Sequence, residues 1–308
     1  MSTPQPNPLR RPDLGTIGVW CPQLRTRSRP KCEAVARGLE ELGFTTLWIP
    51  GGTGGAVFEH VTNALRATRA VPIATGVVNM LMHEPEEAAD WFAAMEDEFP
   101  GRLMLGVGAS HAKRAAAVGR PYRPMATTRD YFHRLDSASA PVPRSRRILG
   151  ALGPRMLELA REKADGAHTY VVDPSHTRLA RTVLGPDRFL APVVKVVNES
   201  DPAMASAVAR EHLAPYLALP SYRQNLLRMG YTEADFADGG SERLIYELVV
   251  FADMAVTVDR IAAHLDAGAD HVCVQVVTAD REDVPWGTWR DIASVVKASF
   301  PTMTGPLP

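Results

Sequence analysis

Residues 73–111, IATGVVNMLMHEPEEAADWFAAMEDEFPGRLMLGVGASH, decide how this 308-residue chain folds. Ile73 to Val78 is a short apolar run rich in β-branched residues, a strand signature. Glu86 to Glu98 carries Ala89, Phe92 and Ala93 at helical spacing, with Glu96 on the wet side. Leu103 to Val107 is apolar again and does not alternate, so both strands are expected to be buried on two faces and to run parallel. In such strand–helix–strand units ligands collect beyond the carboxyl ends of the strands, here Asn79 to His83 and Gly108 to His111. Gly106 and Gly108 give up packing that alanine would keep. They fit either a flat ligand lying against that backbone or a strand that bends at a barrel corner. Ser110 and His111 then project into the mouth, where His111 is either a loop hydrogen-bonder or an acid–base group.

Outward from this stretch the alternation repeats over nearly the whole chain. Strands are expected at Thr16 to Trp20, Thr46 to Pro50, Arg147 to Ala151, Ala167 to Val172, Leu190 to Val197 and His271 to Val277. Helices are expected at Cys32 to Leu42, closed by Gly43, after the glycines at 51–55 and through Arg69, and near Thr127 to Ser137. Further helices are expected at Arg155 to Ala164, Ser175 to Leu184, from Asp201-Pro202 to Leu217, at Val258 to Asp266 with Thr257 as cap and Gly268 as stop, and at Trp289 to Phe300. Residues 221–255 read as a wholly helical insertion. Eight buried-type strands with helices between them argue for one closed (β/α)8 barrel over residues 15–308 and against an open doubly wound sheet. The proline-bearing residues 1–14 read as a disordered tail.

Composition narrows the function classes. With 45% hydrophobic and 22% charged residues the chain can bury a large core, and a net charge of −1 leaves no electrostatic footprint for nucleic acid. Cys21, Cys32 and Cys273 have neither disulfide nor zinc spacing, which fits a reducing cytoplasm. The start of the chain is no secretory signal, and no apolar run approaches the roughly 18 residues of a membrane span.

Two further loops are candidates for chemistry. Leu152-Gly153-Pro154-Arg155 opens a helix whose first turn holds Arg155 and no acid before Glu158. Free N–H groups and the positive pole of the helix there suit an anion such as phosphate. The run Gly51-Gly52-Thr53-Gly54-Gly55 lacks the Lys-Ser/Thr of a P-loop and reads as a mouth loop with room for a ligand; GxGxxG, HExxH and GxSxG are absent. Met80 and Met82 are either pocket lining or ordinary core.

The segments GVW at 18–20, LEELGFTTLWIPGG at 39–52, ATGVVNMLMHEP at 74–85, PGRLMLGVGASH at 100–111, ALGPRMLELAREKADGAHTYVVDPSHT at 151–177 and HLDAGADHVCVQVV at 264–277 together resemble the luciferase-like family of flavin and deazaflavin oxidoreductases, and within it the coenzyme F420-dependent branch. That resemblance implies a TIM barrel, often dimeric, with the deazaflavin ring in the mouth. It implies a non-prolyl cis peptide at Gly76-Val77 and ring contacts at Asn79, Gly108, Ser110 and His111. The phosphate-bearing tail would reach Leu152-Gly153 and Tyr170. Sugar-phosphate dehydrogenases of the family carry an Asp-His pair where this chain has Gly51-Gly52, and a Glu where it has His111, so their acid–base scheme does not transfer.

The expected reaction is hydride transfer between F420 and a small organic substrate, with His111 as the acid–base residue and Trp20, Met80, Tyr222 and Tyr246 as candidate walls. The first alternative is an FMN-dependent monooxygenase of the same family. The second is a barrel without catalysis that acts as a binding partner.

Overall fold

A computed structural model describes residues 10–25, 28–51, 55–251, 253–280 and 283–300. Its strands are β1 (Ile17–Trp20), β2 (Leu47–Ile49), β3 (Ile73–Thr75), β4 (Val78–Asn79), β5 (Leu103–Gly108), β6 (Arg147–Gly150), β7 (Gly166–Thr169), β8 (Phe189–Val197), β9 (Val249–Phe251) and β10 (Val272–Val277). The order β10-β1-β2-β3-β5-β6-β7-β8 closes on itself through β8 and β10, and every pairing is parallel. This is a closed eight-stranded barrel. β4 resumes on β5 the pairing that β3 begins, with Val78 opposite Val107 and Asn79 opposite Gly108. β9 lies outside the ring, against β8.

The helices α1 (Arg29–Glu41), α2 (Val57–Ala67), α3 (Pro85–Glu98), α4 (Ala112–Ala117), α5 (Pro124–Ser137), α6 (Pro154–Lys163) and α7 (Pro174–Leu184) follow the first six barrel strands. α8 (Pro202–Leu217), α9 (Pro220–Arg228) and α10 (Glu242–Leu248) come after β8, and α11 (Met254–Asp266) and α12 (Trp286–Ser299) flank β10. Local chemistry explains the boundaries. In α3, Pro85 takes the first position and Glu86 and Glu87 meet the positive pole, while Ala88, Ala89, Phe92 and Met95 face the strands. Glu96 is not on the wet side as expected: it turns under to pair with the fully buried Arg146 and accepts the Gly101 N–H at 2.7 Å.

Apolar side chains divide into three cores. The largest lies between the strands and the outer helices. A second, inside the barrel, contains Trp48, Ala74, Met104, Ile148, Phe189, Ala191, Val193 and Cys273. Trp48 stacks on His168 at 4.6 Å and donates to His271 Nε2 at 3.0 Å, while His271 Nδ1 lies 2.9 Å from the Gly15 carbonyl. Burial pushes the His168 ring down to about 3 and the His271 ring to about 4, so both are neutral spacers near pH 7. The third core belongs to α8, α9 and α10, and takes in Val171, Val197 and Val277 at the carboxyl ends of the strands. This cap therefore sits at the mouth end.

Several expectations are corrected. Val249–Phe251 is a strand where a helix was expected, because two adjacent valines pair with β8. α11 starts at Met254 with Asp253 as its cap, which leaves Thr257 inside the helix. Of the expected tail, residues 1–9 lie outside the described residues. Leu14, however, is 2% exposed and plugs the lower end of the barrel, and Arg11 pairs with Asp165 at 2.5 Å while covering Phe189. No described helix is long and apolar enough to cross a membrane.

Candidate active site

The third barrel strand breaks at its carboxyl end. Thr75 closes β3, the Gly76–Val77 peptide is cis, and the chain re-enters the sheet at Val78. Four glycines surround this bulge. A Cβ on Gly51 would lie 1.6 Å from the Val77 carbonyl oxygen, and one on Gly106 would lie 2.0 Å from that of Thr75. On Gly108 and Gly150 it would lie 2.8 and 3.2 Å from Val77 Cγ2. The glycines therefore make room for the chain's own bulge. Val77 thus packs against Gly108, one of the positions expected to lie under a ligand. Thr75 Oγ1 pins the arrangement by donating to the Gly106 carbonyl at 2.7 Å and accepting from Gly106 N at 2.8 Å. Gly52, Thr53 and Gly54 of the glycine run lie outside the described residues.

Beside the bulge, Asn79 Nδ2 donates to Ser110 Oγ at 3.1 Å, and Asn79 Oδ1 accepts from Leu81 N. Ser110 holds φ = +62°, uncommon for a residue with a side chain, which carries the chain from β5 to the start of α4. His111 is the residue before α4 and its ring stands 5.9 Å from that of Tyr222. Burial first, and Arg114 second, hold the His111 ring below its ordinary pKa, so it is neutral and able to accept a proton near pH 7.

A continuous arc of rings lines the mouth. Trp20, at the end of β1, donates to the Gly76 carbonyl at 3.0 Å and lies 5.4 Å from Tyr170. Tyr170 follows β7 and meets Tyr216 of α8 at 5.2 Å, which meets Tyr222 of α9 edge-on at 5.2 Å. The Tyr170 hydroxyl donates to Gln275 Oε1 at 2.8 Å and lies 3.3 Å from His212 Nε2. Beneath the arc, Lys195 Nζ is 3.9 Å from the centre of the Tyr170 ring. Burial keeps Tyr170 and Tyr222 as neutral phenols, well above their ordinary pKa.

The α6 start opens at the same end, one strand along. Gly153 caps the helix, Pro154 follows, and no acid stands in the first turn. Arg228, the last residue of α9, brings its Nη1 to 3.5 Å from the point a Cβ on Gly153 would occupy. His176 Nε2 holds the Leu152 carbonyl at 2.8 Å. This brings the positive pole of a helix and a guanidinium to one place, an arrangement suited to phosphate.

Of the expected site residues, Trp20, Gly76, Val77, Asn79, Gly108, Ser110, His111, Leu152, Gly153, Tyr170 and Tyr222 gather at the carboxyl end of the barrel. The side chains of two others stand apart from this group. Met80 is 2% exposed within the outer core, and Tyr246 is 54% exposed on α10, where its ring meets Phe251. Sequence reading missed Lys195, His212, Tyr216, Gln275 and the position of Arg228. Lys195 had a signal: alternation from Phe189 through Ala191 and Val193 puts it inside the barrel. Among the described residues no three His, Cys, Asp or Glu side chains are placed to share a metal ion.

Comparison with known proteins agrees with this architecture. The family model for luciferase-like monooxygenases matches residues 18–234. An F420-dependent secondary alcohol dehydrogenase, solved with an F420–acetone adduct, superposes with a TM-score of 0.70 at 17% identity, covering 94% of this chain and 99% of the other. The coenzyme F420-dependent tetrahydromethanopterin reductase of Methanopyrus kandleri gives 0.72 at 17% identity, covering 93% and 99%. The oxygenating constituent of 3,6-diketocamphane monooxygenase from Pseudomonas putida, solved with FMN, gives 0.69 at 14% identity, covering 95% and 100%. With a family model spanning most of its length and a closed parallel barrel of the same build, the chain belongs to the luciferase-like monooxygenase family.

Proposed function

We propose that the protein is an F420-dependent oxidoreductase that transfers a hydride between the deazaflavin and a small organic substrate. The observation that carries this reading is the convergence of the α6 start, Arg228, Ser110, His111 and the ring arc at one end of the barrel. The donors fit a phosphate-bearing ring cofactor. The first turn of α6 has no acid to compete at the positive pole of the helix, and Arg228 adds a cation. Leu152, Gly153 and Arg228 would hold the phosphate. Asn79, Ser110 and His111 would edge the ring, with Gly76 and Val77 at its face and Tyr170 beside it.

When bound, the deazaflavin supplies or accepts the hydride through its C5 carbon. The chain's own part is alignment and proton handling. Trp20, Tyr216 and Tyr222 wall the mouth, exclude water and hold a substrate against one face, which converts an encounter into an intramolecular step. His111, neutral near pH 7, takes the hydroxyl proton when an alcohol is oxidised and returns it in the reverse direction. Dimerisation and a cytoplasmic location accompany this reading on family grounds.

The second reading is an FMN-dependent monooxygenase, favoured by the likeness in fold to the FMN-bound Pseudomonas protein. Fluorescence titration with F420 and with FMN, followed by admission of air to the reduced complex, separates the two. The proposal expects tighter binding of F420 and slow oxidation by air. Tight FMN binding with rapid oxidation would favour the monooxygenase, and no binding of either would favour a barrel that serves only as a binding partner.

A further inference from the structure

Lys195 brings an ammonium into the barrel for which the described residues supply no hydrogen-bond or ion-pair partner. It is 1% exposed. The alternation of β8 puts its side chain on the inward face with Phe189, Ala191 and Val193, and the sheet register sets it beside Gln275 of β10. Its Nζ lies against the Tyr170 ring at 3.9 Å, directly below the mouth.

The groups facing it from each neighbouring element are uncharged or already committed. From β7 and the residue after it come the neutral His168 and the phenol of Tyr170; from β10 comes the Gln275 amide; from α8, His212 reaches the Tyr170 hydroxyl. On α11, burial holds His264 near 3, and its Nδ1 is paired with Thr177 Oγ1 at 2.8 Å. The acids on adjoining elements are occupied: Asp173 accepts from His176 N and Ser175 Oγ at the start of α7, and Glu247 lies 3.5 Å from Arg260. A site that needed only apolar filling would be better served by methionine or leucine, because an unpaired buried ammonium is costly. His168 leaves another buried atom open to a ligand's hydrogen-bond donor: its Nδ1 is used by the Ala191 carbonyl, and its Nε2, an acceptor in the neutral ring, has no partner among the described residues.

We propose that the floor of the mouth is an anion site, in which Lys195 pairs with an anionic oxygen of the bound molecule beside Tyr170 and Gln275. This rests on the reading that ligands enter this end of the barrel. That oxygen belongs either to the reduced ring of the cofactor, which carries negative charge, or to a carboxylate or enolate on the substrate. In both cases the ammonium gains the partner it lacks, and binding above neutral pH takes up a proton.

The test compares the wild type with Lys195→Met in two arms. The first measures the midpoint potential of bound F420. If the ring supplies the anion, affinity for reduced over oxidised F420 falls at least tenfold in the variant, a drop of about 30 mV for the two-electron couple. The second arm titrates the cofactor-free protein with acetate and benzoate at pH 6 and pH 9, following the fluorescence of Trp20 beside Tyr170. If the substrate supplies the anion, wild-type affinity falls at least tenfold between the two pH values, while the variant binds weakly at both. An unchanged potential together with equal carboxylate affinities would overturn the proposal. Failure of the wild type to bind F420 would refute the proposed function instead, and the carboxylate arm would still decide the role of Lys195.

Discussion

Lys195→Met should stabilise the ligand-free protein, and do so most at low pH. In the unfolded chain this lysine titrates near its ordinary 10.5, while burial brings it down to about 7 in the fold. Between those values the unfolded chain holds a proton that the folded one has released, so stability rises with pH across this window. The cost of the buried ammonium is therefore fully present below pH 7 and relieved above 10.5. At about 1.36 kcal/mol for each pH unit the interval amounts to about 5 kcal/mol. Methionine keeps the unbranched stem and its packing but carries no charge. The variant should thus gain about 5 kcal/mol at pH 6, shrinking to about 1 kcal/mol near pH 10, where little of the charge penalty remains. Urea unfolding of both proteins at pH 6, 8 and 10 measures this directly, because other titrating groups cancel in the difference. A variant less stable than the wild type at pH 6, or a difference that does not change with pH, would refute the reasoning.

Other outcomes follow from the same geometry. His111→Gln should lower the rate of alcohol oxidation by about 10²–10⁴ with little change in cofactor binding. The wild-type rate should fall with decreasing pH at a midpoint below 6.5, as the displaced His111 ring becomes protonated, and that limb should vanish in the variant. Arg228→Ala should weaken binding of a phosphate-bearing cofactor by about 1.5–3 kcal/mol, or roughly tenfold to a hundredfold in Kd, if the guanidinium meets the phosphate. Gly106→Ala drives a Cβ toward the Thr75 carbonyl and should cost about 3 kcal/mol or more by urea unfolding. Gly153→Ala meets only the flexible end of Arg228 and should fold normally.

The fold was legible because burial on both faces leaves a plain mark in sequence. The unalternating runs at Leu103 to Val107 and Val272 to Val277 fit a parallel barrel and little else, and both stand where expected. The cap was harder. Val249 to Phe251 is only three residues long, and its pairing with β8 is decided by a strand more than fifty residues earlier in the chain. Gly106 and Gly108 were readable as positions where something presses on the backbone. That the pressing atoms belong to Thr75 and Val77 depends on the bulge between β3 and β4, which local pattern does not encode. Arg228 and Tyr216 reach the mouth through the packing of α8 and α9, so no spacing in the sequence places them there. Lys195 was within reach of simple alternation, since a charged residue on the inward face of a nine-residue strand marks a site.

The central claim is that the carboxyl end of this barrel binds a phosphate-bearing deazaflavin. Equilibrium fluorescence titration of the wild type and Arg228→Ala with F420 and FMN tests it most directly. Saturable binding of F420, tighter than that of FMN and weakened at least tenfold in the variant, is the predicted result. Absence of F420 binding, or equal binding by both proteins, would contradict it.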